Sequence, residues 1–580
     1  PHLGKVEDGV LYLNSGSRAG LRKNGDKTDR SETFTLYGEG DTVYVEFEDY
    51  YQEFTGVTKV VADGGEGDDT FDATRLFDIG VEITGGAGKV TILLGTGGGR
   101  VRGGDGEDLL DASVSWLLNN QDSKFDKFRN FKGATLMGDA GRDKLIGSIA
   151  NDTLGGGLGI DRLSGDEGDD TFVFEDNFGL DRINDRLGTN ALDFSSANQE
   201  LNVTVNARGF TVNQGADNKI KGNLTFNRLV LGTGNDLVNV SSFGKQEIFI
   251  EDKGGNDLYN FRLSRATGSG ADGIINLDDQ VGDFDEVIAE QTMRDAIALN
   301  QNQLRNGREI LNYTSGLERL TLIGRAGKVV GTDILDFGSK VTLNNTDNNG
   351  ISRNNTTDVR VVANEIDFQS QINSDAIIIE SLKDINVAQV LNAVENGYVD
   401  LRTYGDKSDI NIAADIKVST GSSEDGKGSG WVRMVSADGA IINTNESQII
   451  GSNAHLMLKA KNFIGSDDAA ILTEVGTLTA ATSVHGKGDI VIREADSLEI
   501  TNLEKRATVE NRGLSLPEVS VTPKWMLENE WVDQLSTNND WKNLITDGDD
   551  TYAIAAGNGS ATVNLLAEDS QQTLASGSIT

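Results

Sequence analysis

Nine-residue units rich in glycine and aspartate are the part of this sequence best suited to chemistry. Residues 138–173 divide without a gap into four of them: GDAGRDKLI, GSIANDTLG, GGLGIDRLS and GDEGDDTFV. Each unit begins with glycine, has aspartate at position six and has a large apolar residue at position eight. The aspartates are Asp143, Asp152, Asp161 and Asp170, and the apolar residues are Leu145, Leu154, Leu163 and Phe172. Strict phase over four units favours a repeat architecture over an accidental series of Gly-Asp turns.

Further units of the same kind lie outside this run. The pattern is complete at 64–72 and 103–111, and it is partial at 231–239, 252–260 and 545–553. Their position-six residues are Asp69, Asp108, Asp236, Asp257 and Asp550.

Two units depart from the pattern at the position that matters most. Residues 85–93 and 94–102 keep the phase of 103–111, but Val90 and Gly99 replace the aspartate. We therefore expect these turns to keep the fold without binding metal. On this interpretation Asp108 lacks a stacked partner, and Asp69 is isolated as well.

The spacing predicts stacked carboxylates. If two nine-residue half-turns make one coil, Asp143 stacks over Asp161 and Asp152 stacks over Asp170. A file of carboxylates is repulsive unless a cation neutralises it. Flexible coordination by carboxylate and carbonyl oxygens suits Ca²⁺ better than Mg²⁺. We therefore predict Ca²⁺ as the cofactor, with these ligands: Asp69, Asp108, Asp143, Asp152, Asp161, Asp170, Asp236, Asp257 and Asp550.

These units resemble the repeats-in-toxin family, also called hemolysin-type calcium-binding repeats, whose motif is G-G-x-G-x-D-x-U-x. The resemblance implies that residues 138–173 form a parallel β-roll in which the position-six aspartates bind calcium with help from turn carbonyls. It also implies a bacterial protein exported by type I secretion or a related route. The clear repeats cover less than a fifth of the chain.

The elements that position these turns are short strands. Residues 33–37, 42–47 and 57–61 are β-rich, and residues 328–505 carry apolar strands every 8–12 residues. Residues 463–500 resemble the parallel β-helix coils of filamentous-hemagglutinin-like adhesins, which favours a right-handed solenoid over a sandwich. Residues 116–131 lack the repeat pattern and are compatible with a short helix. The fold class predicted is all-β, with a parallel β-roll, right-handed β-helix segments and minor helical elements.

Five regions follow from these patterns. Residues 1–135 form a β-strand region with isolated calcium-repeat units, 136–190 the calcium-binding β-roll, and 191–327 a β-rich repeat region. Residues 328–512 form the parallel β-helix. Residues 513–580 comprise a linker at 513–523, a tryptophan-rich helix and a terminal repeat unit.

Composition excludes several classes of function. The chain has 580 residues and a net charge of −39, which disfavours nucleic acids and anionic membrane surfaces as partners. It has no cysteine, which excludes disulfides, cysteine-ligated zinc and thiol catalysis. The sequence contains no run of 18 apolar residues, so it predicts no membrane-spanning helix. The first residue is Pro1 and no signal peptide follows, so we expect a processed product or a segment of a longer protein.

We predict from the sequence that the protein is not an enzyme. Its three histidines are His2, His455 and His485, and neither an H-E-x-x-H nor a G-x-S-x-G motif occurs. The alternative is a β-helix lyase or epimerase acting on acidic polysaccharide, with Lys459, Lys461 and Arg433 facing one groove. The charge of −39 disfavours the approach of such a substrate.

The function predicted is therefore an extracellular, calcium-dependent structural or adhesive protein of the bacterial surface. Its exposed strand edges predict head-to-tail contacts with copies of itself, giving a filament, sheath or layer, or contacts with other surface components. Glycans or a cell surface are the ligands expected of an adhesin. The sequence leaves the adhesive and the purely structural roles open.

Overall fold

The structure is a computed structural model, and nearly all of its elements are β-strands. It describes residues 2–23, 25–119, 130–185, 187–206, 208–222, 226–241, 247–263, 273–279, 285–291, 297–300, 303–306, 309–313, 319–324, 340–343, 351–352, 358–363, 365–419, 430–466, 468–482, 490–494, 499–500, 552–556 and 562–563. The prediction of an all-β fold with minor helical elements is confirmed. None of the helices among these residues is long and apolar enough to span a lipid bilayer.

The bounds of the elements are as follows. The strands up to residue 111 are Gly4–Glu7, Val10–Leu13, Thr33–Glu39, Thr42–Phe47, Tyr50–Phe54, Lys59–Glu66, Asp69–Leu76, Gly80–Ala87, Val90–Leu93, Gly99–Gly106 and Leu109–Asp111. The next are Ala134–Gly141, Lys144–Ile146, Thr153–Gly155, Leu158–Gly159, Arg162–Ser164, Thr171–Val173, Leu180–Ile183, Asn190–Asp193, Asn202–Asn206, Gly209–Gln214, Asn218–Gly222, Phe226–Val230, Leu237–Val240, Glu247–Glu251, Leu258–Leu263 and Ile274–Asp278. The remainder are Glu286–Gln291, Ile297–Asn300, Gln303–Asn306, Glu309–Tyr313, Arg319–Gly324, Lys340–Leu343, Ile351–Ser352, Asp358–Ala363, Glu365–Phe368, Ile372–Ser381, Ile385–Val387, Leu391–Thr403, Ile410–Ile412, Ile416–Val418, Trp431–Ser436, Ile441–Asn443, Gln448–Ala460, Ile471–Thr482, Ile490–Glu494, Glu499–Ile500, Tyr552–Ala556 and Thr562–Val563. The helices are a 3₁₀-helix at Gly16–Leu21 and an α-helix at Ser115–Leu118.

The chain divides into two compact units. The N-terminal unit comprises Pro1–Tyr259 with Gly273–Asp283, and the C-terminal unit comprises Asn260–Asp272 with Phe284–Thr580. The N-terminal unit contains the repeats at 64–72, 103–111, 138–173 and 231–239. It also contains residues 252–259 of the repeat at 252–260.

The repeats of the N-terminal unit build a parallel solenoid. On one side Thr135 pairs with Thr153 and Thr153 pairs with Thr171 in parallel register. On the other side Leu145 pairs with Leu163, again in parallel. Each strand therefore lies next to the strand two units further along the chain, which confirms that two nine-residue half-turns make one coil.

The position-eight residues form the core between the two sheets. Leu145, Leu154 and Phe172 are completely buried, and Leu163 is 1% exposed. Burial of each such side chain contributes about 2 kcal/mol relative to leaving it in water. The strands are only three residues long here, so the glycine-rich turns bring the chain back quickly enough for these side chains to stack.

Insertions interrupt the coils, and the strands that flank them still pair in parallel with the next coil. Residues 33–54 and residues 202–222 each form a three-stranded antiparallel meander. A third insertion, between Asp111 and Ala134, contains the helix Ser115–Leu118. This helix covers the start of the predicted helical segment 116–131, whose residues 120–129 lie outside the described part of the chain.

The C-terminal unit is also built mainly of parallel strands, with an antiparallel meander at Ile297–Asn300, Gln303–Asn306 and Glu309–Tyr313. Val399 pairs with Ile377 before it and with Val432 after it, and Leu456 continues the same row. This agrees with the solenoid predicted for 328–512, whose right-handedness stays a prediction.

Charged residues pair at buried positions of these C-terminal strands. The Arg360 guanidinium lies 2.8 Å from Glu380, and Asp400 forms an ion pair with Arg433. The side chains of these four residues are at most 10% exposed. Arg402 pairs with both Glu380 and Asp400, so these charges form one largely buried network in which the loss of one member disturbs the others.

Most of the predicted C-terminal region cannot be compared with the structure. The linker at 513–523 and the tryptophan-rich helix lie outside the described residues. The strand Tyr552–Ala556 begins at the end of the terminal repeat unit 545–553. It pairs in parallel with Ile490–Glu494.

Candidate metal centres

The first aspartate ladder follows one corner of the N-terminal solenoid. We define it by its carboxylates: Asp69, Asp108, Asp143, Asp161 and Asp181. The backbone N–H of Asp143 donates to Asp161 Oδ1 at 2.8 Å, as the nine-residue period predicts. The N–H of Asp161 donates in the same way to Asp181 Oδ1 at 2.9 Å. Each Oδ1 is thus held by the backbone of the preceding coil, which orients the whole file.

The prediction that Asp108 lacks a stacked partner is wrong. Its N–H donates to Asp143 Oδ1 at 2.8 Å, although the two residues are 35 positions apart. The insertion between Asp111 and Ala134 leaves the coil and returns to it, so the next repeat stacks in register. Asp69, by contrast, lies beside Val90, and its Oδ1 accepts from the N–H of Glu32. Among the described residues it therefore adjoins no other ladder aspartate, as expected.

The second ladder follows the opposite half-turns and comprises Asp152, Asp170 and Asn190. The N–H of Asp152 donates to Asp170 Oδ1, and the N–H of Asp170 donates to Asn190 Oδ1, both at 2.8 Å. Asp152 differs from the other carboxylates, because its Oδ2 accepts from the N–H of Ser148. The predicted stacking of Asp152 over Asp170 is therefore present, and Asn190 extends it.

Two ladder members, Asp181 and Asn190, were not predicted from the sequence. Asp181 and Asn190 each lie 20 residues after their ladder neighbours, rather than 18, so they fall out of phase. A local signal survives at Asp181, because Ile183 follows two residues later and is buried, as Leu145 is after Asp143. The aspartate-x-apolar step marks a ladder position better than the nine-residue count does.

The second oxygen of most ladder carboxylates has no partner. Oδ2 is buried and accepts no hydrogen bond from any described residue in the following aspartates: Asp69, Asp108, Asp143, Asp161, Asp170 and Asp181. Each of these residues is at most 3% exposed. A buried carboxylate oxygen without a donor costs free energy on the order of 1–3 kcal/mol or more. The same atom type is therefore buried without a donor at six ladder positions of the described chain.

Backbone carbonyls lie beside these orphaned oxygens. A Cβ placed on Gly138 would come closer than 3.0 Å both to Asp143 Oδ2 and to the carbonyl oxygen of Gly156. The same pairing of an orphaned carboxylate oxygen with the next coil's carbonyl occurs at Gly64 and Gly103, whereas at Gly147 the carboxylate oxygen is the Ser148-bound Oδ2 of Asp152. The glycine at position one therefore lets a carboxylate oxygen and a carbonyl oxygen, both hard donors, come close together beside its Cα. This donor set suits Ca²⁺, whose coordination is oxygen-only and tolerant of irregular geometry.

The electrostatics of the ladders are unfavourable without a cation. Burial raises the pKa of Asp143 to about 7, and the carboxylates of Asp161 and Asp108 add to the effect, although a hydrogen bond from the Asp108 backbone opposes it. Burial likewise raises the pKa of Asp170 to about 7 and that of Asp181 to about 8. The pKa values of Asp152 and Asp161 are also raised by burial. A cation would reverse these shifts, because opposite charge favours the ionised carboxylate.

The partial repeats form a separate group of carboxylates. The N–H of Leu201 donates to Asp236 Oδ1 at 2.8 Å, and the N–H of Asp236 donates to Asp257 Oδ1 at 2.6 Å. Asp252 lies close to both, and one carboxylate oxygen from each of the three residues lies within 4.8 Å of the others. Burial raises the pKa of Asp236 to about 7. Asp550 lies outside the described residues.

The residues considered for polysaccharide chemistry are engaged in ion pairs. Arg433 pairs with Asp400, and Lys461 pairs with Asp438. His455 lies within the strand Gln448–Ala460, and His485 lies outside the described residues. Two of the three residues predicted to face a groove, Arg433 and Lys461, therefore form ion pairs with neighbouring carboxylates.

No family model matches this chain, and neither the curated proteins nor the solved structures contain a match to it.

Proposed function

We propose that this chain is an extracellular calcium-binding protein of the bacterial surface, with a structural or adhesive role, whose aspartate ladders fold around Ca²⁺. One observation carries the proposal. The buried Oδ2 atoms of successive ladder aspartates have no hydrogen-bond partner among the described residues, and several lie next to a backbone carbonyl oxygen. Oriented, unpaired carboxylates in repeated turns are the arrangement that a hard cation completes.

The two carboxylate oxygens of a ladder aspartate have different roles. Oδ1 of Asp161 accepts the N–H of Asp143 and so fixes the coil spacing. Oδ2 is left for the cation, together with the position-one carbonyl. Bound Ca²⁺ would supply the positive charge that stacked carboxylates need. Because unfolded chain presents no such site, the binding free energy becomes folding free energy.

This coupling gives a rationale for an exported protein. Where calcium is scarce, the ladder carboxylates repel one another and disfavour stacking of the coils. Extracellular modules bind Ca²⁺ with dissociation constants of about 10⁻⁴ to 10⁻³ M. Calcium outside the cell is therefore sufficient to fill such turns, and the repeat region would fold after export.

The structural or adhesive role is supported by the architecture. A parallel solenoid offers strand edges at its ends, and contact of one end with the other end of a second copy would extend a filament or layer. Other surface components, glycans or a cell surface are the remaining partners of this proposal. Pairing of Arg433 and Lys461 with carboxylates does not favour the lyase or epimerase alternative.

Calcium titration of the full chain tests the metal part of the proposal. We expect Ca²⁺, but not Mg²⁺ at the same concentration, to increase the β signal in circular dichroism and the heat of binding in calorimetry. Asp108→Asn should weaken binding on the order of tenfold at its turn, because it removes a ligand charge worth about 1.4 kcal/mol. Asp217→Asn is the control, since Asp217 is an exposed acid in a turn outside both ladders. An identical β signal in calcium and in EGTA would refute the proposal.

Assembly needs a separate experiment. Sedimentation and negative-stain electron microscopy in calcium should reveal concentration-dependent polymers that dissociate in EGTA. Strictly monomeric particles at high concentration would exclude self-assembly and leave the binding of other surface components. A glycan array and a cell-binding assay then separate an adhesin from a passive layer.

A further inference from the structure

The repeat unit at 252–260 departs from the pattern at two positions. Its sequence is DKGGNDLYN, so Asp252 occupies the place of the first glycine and Tyr259 occupies the place of the apolar residue at position eight. Each substitution alone would be costly. Asp252 adds a charge to an acidic turn, and Tyr259 brings a hydroxyl group into the core.

The structure brings the two departures into contact. Tyr259 is completely buried, and its hydroxyl donates a hydrogen bond of 2.6 Å to Asp252 Oδ2. The N–H of Gly254 donates to Asp252 Oδ1 at 2.7 Å, in a turn where Gly254 and Gly255 both have positive φ. The Asp252 carboxylate is therefore held from both sides and cannot swing out to solvent.

Two further carboxylates face the same point. Asp236 and Asp257 each place a carboxylate oxygen within 4.8 Å of an oxygen of Asp252, and all three residues are buried. Asp236 is 2% exposed, and its Oδ2 has no hydrogen-bond partner among the described residues. Lys253, which follows Asp252, is exposed to solvent. The cluster thus concentrates three carboxylates around an oxygen that lacks a donor.

We propose that Asp236, Asp252 and Asp257 form a distinct site for a hard multivalent cation, with Tyr259 as the positioning residue of Asp252. The site differs from a ladder step, where neighbouring carboxylates come one from each coil and carbonyls supply other ligands. Three carboxylates in one place bind a small, highly charged ion more tightly than such a step does. The inference deepens the proposed function, on which it rests for the use of Asp236 and Asp257 as ligands.

Terbium luminescence of the full chain tests this site selectively. Tb³⁺ replaces Ca²⁺ at oxygen sites, and an excited aromatic ring sensitises its emission at short range only. Because the Tyr259 hydroxyl touches a proposed ligand, this ring should dominate the sensitised emission from the site. We expect Tyr259→Phe to lower the emission by more than half, and Ca²⁺ to compete for the site in the unaltered chain. Asp252→Asn should remove the same emission and weaken the competition by Ca²⁺ on the order of tenfold.

A ladder variant separates this inference from the proposed function. Asp170→Asn should reduce the number of Ca²⁺ ions bound and leave the Tyr259-dependent emission unchanged. If Tyr259→Phe and Asp252→Asn both retain full emission and Ca²⁺ affinity, the three-carboxylate site is refuted while the ladders stand. If the ladders bind no Ca²⁺ but the Tyr259-dependent site does, the proposed function fails and this inference survives. Tyr259→Phe removes only a hydroxyl group, so it keeps the test decisive if Asp252→Asn does not fold.

Discussion

Substitution of Asp143 by asparagine should stabilise the fold in the absence of calcium and should reduce the stabilisation that calcium provides. Asparagine keeps the oxygen that accepts the N–H of Asp108, so the coil spacing is preserved. It replaces the orphaned Oδ2 by an amide nitrogen and removes one negative charge. Without calcium the variant should be the more stable protein, and with calcium it should gain less than the original chain does.

The magnitude follows from the pKa of Asp143. A rise from 3.8 to about 7 corresponds to about 4 kcal/mol of penalty on the ionised folded state at pH 8, at 1.36 kcal/mol for each pH unit. Asp143 is only 2% exposed, but solvent reaches the turn, and we discount the figure to about 2 kcal/mol. Binding of calcium at about 10 mM raises the free energy of unfolding by about 1 to 3 kcal/mol, if the dissociation constant is that of extracellular modules. The two effects are therefore of similar size and opposite sign.

Thermal unfolding of the full chain near pH 8 measures both effects. Asp143→Asn should raise the Tm of the repeat region in EGTA and should reduce the upward shift that calcium produces. Asp217→Asn is the control, because Asp217 is exposed in a turn outside both ladders and should change neither value. A lower Tm for Asp143→Asn in EGTA would refute the reasoning. It would mean that the carboxylate stabilises the turn without any cation.

Three further predictions follow from the same structure. Gly138→Ala should reduce calcium affinity and destabilise the repeat region by about 1–3 kcal/mol, because its Cβ would displace Asp143 Oδ2 and the Gly156 carbonyl. Gly20→Ala, with open space around the new Cβ, is its neutral control in calorimetry. In EGTA the Tm should fall as the pH rises from about 4 to about 8, because the ladder carboxyls, with pKa values raised to about 7, bind more protons folded than unfolded. A pH-independent Tm over that range would contradict the raised pKa values. Asp400→Asn should destabilise the C-terminal unit by about 3–5 kcal/mol in urea unfolding, equally with and without calcium, because it removes the buried carboxylate that pairs with both Arg402 and Arg433. A calcium-dependent effect there would show that the ion pair is coupled to the ladders.

The stacking of the repeats could be predicted because it follows from counting. Two half-turns of nine residues bring Asp143 beside Asp161 and Asp152 beside Asp170, and the apolar residue at position eight has only the core to enter. Glycine at position one is explained by the structure rather than by the pattern. Its Cα lies where the carboxylate of its own unit and the carbonyl of the next coil meet.

Register across insertions could not be predicted from the period. Asp108 stacks on Asp143 although a helix-containing insertion separates them, and Asp181 joins the ladder from a longer coil. A parallel solenoid specifies contacts between coils, so the length of chain that leaves and returns at a corner is free. Counting residues therefore fails wherever a coil changes length, while the aspartate-x-apolar step still marks the ladder position.

Side-chain pairing in the C-terminal unit was also beyond the sequence. Arg433 was a candidate for a substrate groove, but it is paired with Asp400 on a neighbouring strand. The spacing of these two residues reflects no fixed period, because the coils of this unit vary in length. Strand positions were predictable from apolar rhythm, and cross-strand partners were not.

The valine in the first ladder has a consequence for which coils respond to calcium. Val90 is completely buried, and its N–H donates to Asp108 Oδ1 at 2.7 Å, so a coil without a ladder charge abuts the first step of the charged file. Formation of that coil involves no carboxylate to neutralise, and it offers a finished edge to the segment that follows. In a linear array each coil contacts only its neighbours, so the stability of a coil depends on its own residues and on the edge beside it. Residues 80–102 would thus keep their pairing when calcium is removed, and the cation-dependent coils would be the part of the array that calcium controls.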